Sequence, residues 1–191
     1  GVVKVLTETS IPGEKDIGTI FKGDPLLAIN NEIKYFGQPI ALILATTHEL
    51  AWKAASLAKV EYTETGDLAL TYPKAASQDP LLPTHQMGKK VEQQVFDQAP
   101  VYIHGDIHVG GQEHFYLEGQ VSLAELTEDG GIFLRSSTQN PSEVQKLVAE
   151  VLDIDFNRVT VDMRRMGGGF GGKESQAAQW ACLAALGAHH T

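Results

Sequence analysis

Five glycines in the six positions from Gly167 to Gly172, broken only by Phe170, set the tightest limit on how this chain can fold. Glycine buries no side chain and loses the most freedom on ordering, so such a run belongs in neither a strand nor a helix interior. It must join two elements, and its flanks supply them. Val159-Thr160-Val161-Asp162-Met163 alternates as a strand, and Trp180 to His190 is an alanine-rich helical pattern. A glycine loop between strand and helix brings bare backbone N–H groups close to an anion. Gly167, Gly172 and Lys173 satisfy G-x-x-x-x-G-K, but Glu174 stands where a nucleotide-binding loop needs Ser or Thr to hold magnesium. Gly167, Gly169 and Gly172 also satisfy the dinucleotide fingerprint G-x-G-x-x-G, a weak signal alone, whose acidic partner about 20 residues on would fall beyond Thr191.

Earlier in the chain, Val2 to Leu6 and Ile40 to Ala45 read as strands. Thr46 with Glu49 predicts a capping box. Leu50, Ala51, Ala54, Leu57 and Ala58 then recur as the core-facing stripe of a helix, and Val60 to Tyr62 reads as a short strand. From Thr63 to Pro100 the pattern breaks at Pro73, Pro80, Pro83 and Pro100, which marks a linker between domains. Val101 to Val109 alternates as a strand, and Val121 to Leu126 predicts a hairpin with Gly131 to Ser136 across Thr127 to Gly130. A helix follows, with Asn140 as cap, Pro141 in the first position, Glu143 completing the box, and Val144, Leu147, Val148 and Val151 on one face.

Composition excludes several classes. With 15 Lys plus Arg against 24 Asp plus Glu, the net charge of −9 argues against a nucleic-acid partner. Runs such as Ile40 to Ala45 fall far short of the roughly 20 apolar residues that cross a bilayer. Cys182 is the only cysteine, so this chain alone holds no disulfide, four-cysteine zinc site or iron–sulfur cluster, and a reducing, cytoplasmic compartment is the simpler expectation. Cys182 lies on the apolar stripe of the last helix and is expected to be buried and inert. His108, Glu113, His114 and Glu118 fall within eleven positions, but alternation along an extended chain would scatter them rather than gather a zinc site. His189 and His190 are expected in solvent, and Arg164 and Arg165 paired with backbone or carboxylates. Gly1 opens an alternating run without an initiator methionine, and the last helical pattern runs on to Thr191, so a piece of a longer polypeptide is expected.

Three segments, in order, closely resemble the molybdenum-binding large subunit of the xanthine dehydrogenase and aldehyde oxidase family. They are Gly110-Gly111-Gln112-Glu113-His114-Phe115-Tyr116-Leu117-Glu118, Ser136-Ser137-Thr138-Gln139-Asn140, and Arg165-Met166 followed by the glycine run to Lys173-Glu174. Ile11-Pro12-Gly13-Glu14 and Tyr35-Phe36-Gly37-Gln38-Pro39-Ile40-Ala41 resemble the α/β hammerhead domain that precedes it, so the likeness spans essentially the whole chain. It implies an α+β chain, with the C-terminal part of a hammerhead domain over residues 1–83 and the N-terminal part of a molybdopterin-binding domain over 84–191. The implied cofactor is a molybdenum-pterin, with FAD and 2Fe-2S clusters on other subunits or segments of an oligomeric assembly.

The resemblance also assigns roles. Gln112 would hydrogen-bond an oxygen ligand of molybdenum, which an amide does without adding charge; otherwise it is a loop amide bonded to backbone. Phe170, with Gly169, Gly171 and Gly172, would form the dry wall beside the cofactor; otherwise it is core volume. Neither Gln112 nor Phe170 would ligate the metal directly. Glu174 matches the glutamate that hydrogen-bonds a purine and stabilises charge developing on it; on chemistry alone it could be a helix N-terminal carboxylate. Aldehyde-oxidising relatives usually differ there, so Lys173-Glu174 favours a purine. Gly119 departs from the threonine usual in animal enzymes. The implied reaction oxidises xanthine or hypoxanthine with oxygen from water. Its general base is a glutamate in a segment beyond Thr191, so these residues alone are not expected to turn over. An aldehyde-type oxidoreductase and a non-catalytic remnant of the same scaffold are the alternatives.

Overall fold

In chain order the elements are β1 (Val2–Leu6), β2 (Leu42–Ala45), α1 (His48–Leu57), α2 (Tyr72–Ala76), α3 (Gln93–Asp97), β3 (Ser122–Leu126), β4 (Ile132–Ser136), α4 (Pro141–Leu152), β5 (Val159–Asp162) and α5 (Ala177–His189). They come from a computed structural model, which describes residues 1–30, 32–64, 66, 69, 71–80 and 83–191. These residues form two units, Gly1–Ala58 with Gln112–Thr191, and Lys59–Gly111.

The larger unit is built on β4. Ile132, Leu134 and Ser136 point inward and Phe133 and Arg135 outward, the period of two that buries one face of a sheet. β3 pairs with β4 as the expected antiparallel hairpin, with Ala124 opposite Leu134, and β5 pairs with β4 in parallel. A parallel neighbour needs a crossover, and α4 supplies it. Asn140 caps α4 by accepting the Glu143 N–H at 3.2 Å, and Pro141 takes the first position. The expected box differs in detail. The Glu143 carboxylate takes the Asn140 side-chain N–H at 3.0 Å, because the Asn140 backbone N–H already donates to the Thr138 hydroxyl. Val144, Leu147, Val148 and Val151 of α4 pack with Ala178, Ala181, Cys182 and Leu186 of α5 on the β4 face.

The first 58 residues complete this unit. β1 and β2 pair antiparallel, with Leu6 opposite Leu42. The Gly13 and Glu14 N–H groups bond the carbonyls of Val151 and Glu150, which ties this segment to the last turn of α4. Leu26 and Leu27 are wholly buried. Asp16 organises the intervening turn by accepting the N–H groups of Gly18, Gly23 and Asp24.

Several expectations are corrected. The cap of α1 is Thr47, which accepts the Leu50 N–H at 3.3 Å, while Thr46 accepts from the amino terminus. Of the expected stripe, Ala51 and Ala54 are half-buried. No residue of α1 is buried, and Leu57, expected on the core stripe, is 70% exposed. His190 is not simply solvated, because its Nε2–H donates to the Ser10 carbonyl at 2.8 Å and its Nδ1 accepts from Lys4 at 3.3 Å. Neither residues 60–62 nor residues 101–109 form a strand. Each is an alternating run that pairs with no strand among the described residues, and extended backbone without a partner gains nothing from its pattern. The stretch read as a linker carries the five-residue helices α2 and α3; its residues 65, 67, 68, 70, 81 and 82 lie outside the described set.

Candidate functional site

The glycine loop runs from the end of β5 to α5, as expected, and its centre is a tight turn. The Gly172 N–H bonds the Gly169 carbonyl at 2.7 Å, and the two residues between, Phe170 and Gly171, have φ of 50° and 90°. Positive φ at both centres is the I′ geometry. It suits Gly171 but costs Phe170 about 1–2 kcal/mol.

Gln139 offsets that strain. Its Oε1 accepts the N–H groups of Gly171 at 3.0 Å and Lys173 at 3.2 Å, bridging the far side of the turn, and its backbone N–H donates to the Lys173 carbonyl at 2.9 Å. Gly169 must be glycine for this to happen. A Cβ there would lie 2.5 Å from Gln139 Oε1. The Gln139 amide NH₂ has no partner among the described residues, so two donors remain beside the loop.

The segment Gln112 to Glu118 backs the loop. A Cβ on Gly172 would lie 2.7 Å from the Tyr116 ring and 2.8 Å from His114, so these rings fill the space that a side chain would take. Gln120 donates to the Tyr116 hydroxyl and to the Gly172 carbonyl, both at 3.1 Å, and accepts from the Trp180 indole of α5 at 2.6 Å. Phe115, with φ of 48° and 94% exposed, repeats the left-handed strain of Phe170.

Beneath the loop lies a charge that sequence reasoning missed. Lys173 is fully buried, and its Nζ donates to the Glu118 carbonyl at 2.7 Å, the Ser137 hydroxyl at 2.8 Å and the Glu118 carboxylate at 3.3 Å, while sitting 4.7 Å from the centre of the Tyr116 ring. An ammonium taken out of water costs several kcal/mol unless its three donors are met, and here they are. The Ser137 hydroxyl also donates to the Glu118 carboxylate. That bond, the Gly167 backbone and Lys173 hold the Glu118 carboxyl below the usual range. Glu118 and His114 therefore serve the loop.

The remaining expected residues are placed as follows. Phe170 is 75% exposed, so it is not core volume; its ring edge would meet a Cβ on Gly168 at 3.0 Å. Glu174 is exposed and stands ahead of α5, whose first turn contains no acidic residue, so it is not a helix-start carboxylate. Gln112 is exposed, and its side chain bonds nothing among the described residues; Gln139 and Gln120 are the glutamines seen to bond the loop. Arg164 pairs with Asp162 at 3.0 Å. Burial pushes the Cys182 thiol well up, with Glu150 adding to the effect.

The loop thus offers the N–H groups of Gly168, Gly169 and Phe170, which bond nothing among the described residues, an exposed ring and the spare Gln139 donors. This set suits a flat, oxygen- and nitrogen-rich group, and a molybdenum-pterin is one. Among the described residues no helix is long and apolar enough to cross a membrane.

Comparison with known proteins agrees with this chemistry. Residues 75–191 match the molybdopterin cofactor-binding domain model, and residues 1–66 match the a/b hammerhead domain of aldehyde oxidase and xanthine dehydrogenase. Aldehyde oxidase 2 of Macaca fascicularis is 36% identical over 192 residues, and xanthine dehydrogenase of Dictyostelium discoideum is 34% identical over 191. Both alignments take in the whole chain and 14% of the relative, so the chain spans a small part of their length. The aldehyde oxidoreductase of Desulfovibrio gigas superposes with a TM-score of 0.77 at 26% identity, covering 98% of this chain and 23% of that one.

Proposed function

The chain belongs to the aldehyde oxidase and xanthine dehydrogenase family, a hammerhead segment followed by a molybdopterin-binding segment, and from that premise we propose that it forms part of a molybdenum hydroxylase acting on a purine such as xanthine or hypoxanthine. The observation that carries the purine reading is the split between Lys173 and Glu174. The ammonium is spent on Glu118 and Ser137 inside the fold, while the neighbouring carboxyl stands exposed with no cation within ion-pair reach among the described residues. A free carboxyl is suited to accept the ring N–H groups of a purine, and a proton shared across that hydrogen bond would relieve negative charge gathering on the ring; a simple aldehyde offers no such N–H.

When bound, the molybdenum-pterin would supply the redox centre and the route by which oxygen from water enters the product. The residues of this chain have supporting tasks. Phe170, raised on its left-handed backbone, walls the site and excludes water. The exposed Gln112 amide would hold an oxygen of the cofactor, and the spare N–H donors of Gln139, which is fixed to the loop through its Oε1, would add to that hold. Glu174 hydrogen-bonds the purine. The proton acceptor, FAD and iron–sulfur clusters would come from other segments or subunits.

An aldehyde-type activity is the second reading, favoured by the 36% identity to an aldehyde oxidase beside 34% to a xanthine dehydrogenase. Kinetics of the full-length polypeptide separate the two. In Glu174→Ala, kcat/KM for xanthine should fall about 100-fold or more while an aromatic aldehyde is little affected and molybdenum content is unchanged. Unchanged purine kinetics would remove the role of Glu174 and leave the aldehyde reading.

A further inference from the structure

We propose that Lys173 is a positioning residue, a buried clamp that binds the Tyr116–Glu118 segment, the end of β4 and the glycine loop into one body and so sets where Phe170 and Glu174 stand. What the loop serves rests on the molybdenum hydroxylase reading; the clamp itself does not.

Its ammonium has three N–H donors, and three acceptors from two separate parts of the chain meet them: the Glu118 carbonyl, the Glu118 carboxylate and the Ser137 hydroxyl. The Tyr116 ring closes a further side at 4.7 Å. The Lys173 backbone is held as well, its N–H donating to Gln139 at 3.2 Å and its carbonyl accepting from the Thr138 hydroxyl at 3.3 Å. A residue fixed at side chain, N–H and carbonyl leaves the strained turn at Phe170 nowhere to relax. Glu174 follows directly, so its backbone leaves from an anchored point although its side chain is exposed. Lysine suits this place for a chemical reason. Methionine would fill much of the same space but would leave the Ser137 hydroxyl and the Glu118 carbonyl without their donor.

The test compares Lys173→Met, Lys173→Arg and Ser137→Ala in the full-length polypeptide by hydrogen exchange, molybdenum content and kinetics. In Lys173→Met, amide exchange over residues 166–175 should rise at least about tenfold while peptides from α4 and α5 keep their protection. kcat should fall about 100-fold, the order expected when reacting groups are misplaced, with molybdenum retained. Lys173→Arg, which keeps charge and donors, should recover most of both, and Ser137→Ala should fall between. Unchanged exchange over 166–175, or a rise shared equally by α4 and α5, would overturn the clamp. If Lys173→Met does not fold, Ser137→Ala decides by the same exchange criterion. A wild-type polypeptide without molybdenum or turnover would defeat the proposed function, and the exchange comparison would still decide the clamp.

Discussion

The runs Val101 to Val109 and Val121 to Leu126 alternate alike in sequence, yet only the second becomes a strand. β3 meets its partner β4 after a short turn, so its alternate residues gain ladder hydrogen bonds and Ala124 shares a face with Leu134. Residues 101–109 form no such pairing among the described residues, and Ile103 and Ile107 are 87% and 89% exposed. Alternation states what a strand could bury, and a neighbouring edge decides whether it does.

That contrast can be broken by mutation. The largest effect belongs to Leu134→Ala, which opens a cavity in the wholly buried β4 face and should lower the unfolding free energy by about 2–5 kcal/mol in a urea titration followed by circular dichroism. Next comes Asn140→Ala, which removes the cap of the crossover helix and should cost about 1 kcal/mol by the same titration. A smaller, pH-gated effect concerns Glu118. Its carboxyl is held below the ordinary range by Ser137, Gly167 and Lys173, so its contribution is present above the unfolded-state value near pH 4 and is lost as pH falls through the folded value. Loop exchange over residues 166–175 should therefore quicken in acid below about pH 4, and Glu118→Gln should flatten that dependence. The smallest is Ile103→Ala, expected within about 0.5 kcal/mol of the parent. A loss there comparable to that of Leu134→Ala would mean that residues 101–109 are buried after all.

What the sequence makes legible is local. The β3–β4 hairpin, the Asn140 cap, the strand β5 and the buried helix around Cys182 each follow from periods of two or 3.6 and from capping residues within a few positions. The glycine run reads as a strand-to-helix loop for the same reason. What holds that loop is not local. Lys173 meets Glu118 across 55 positions and Ser137 across 36, and Gln139 reaches Gly171 across 32. No periodicity encodes such pairs, and the motif around Lys173 says nothing of its burial. The α1 error has a different cause, since Thr46 and Thr47 are equally good caps and the choice falls to the bond between Thr46 and Gly1.

Burial of Cys182 has a consequence for how this fold can be watched. With its thiol shut between α4 and α5 and held protonated, an alkylating reagent can attack only after those helices part. The chain therefore carries its own chemical clock: within these residues, the rate at which the single thiol is modified counts the openings of the core beneath the loop.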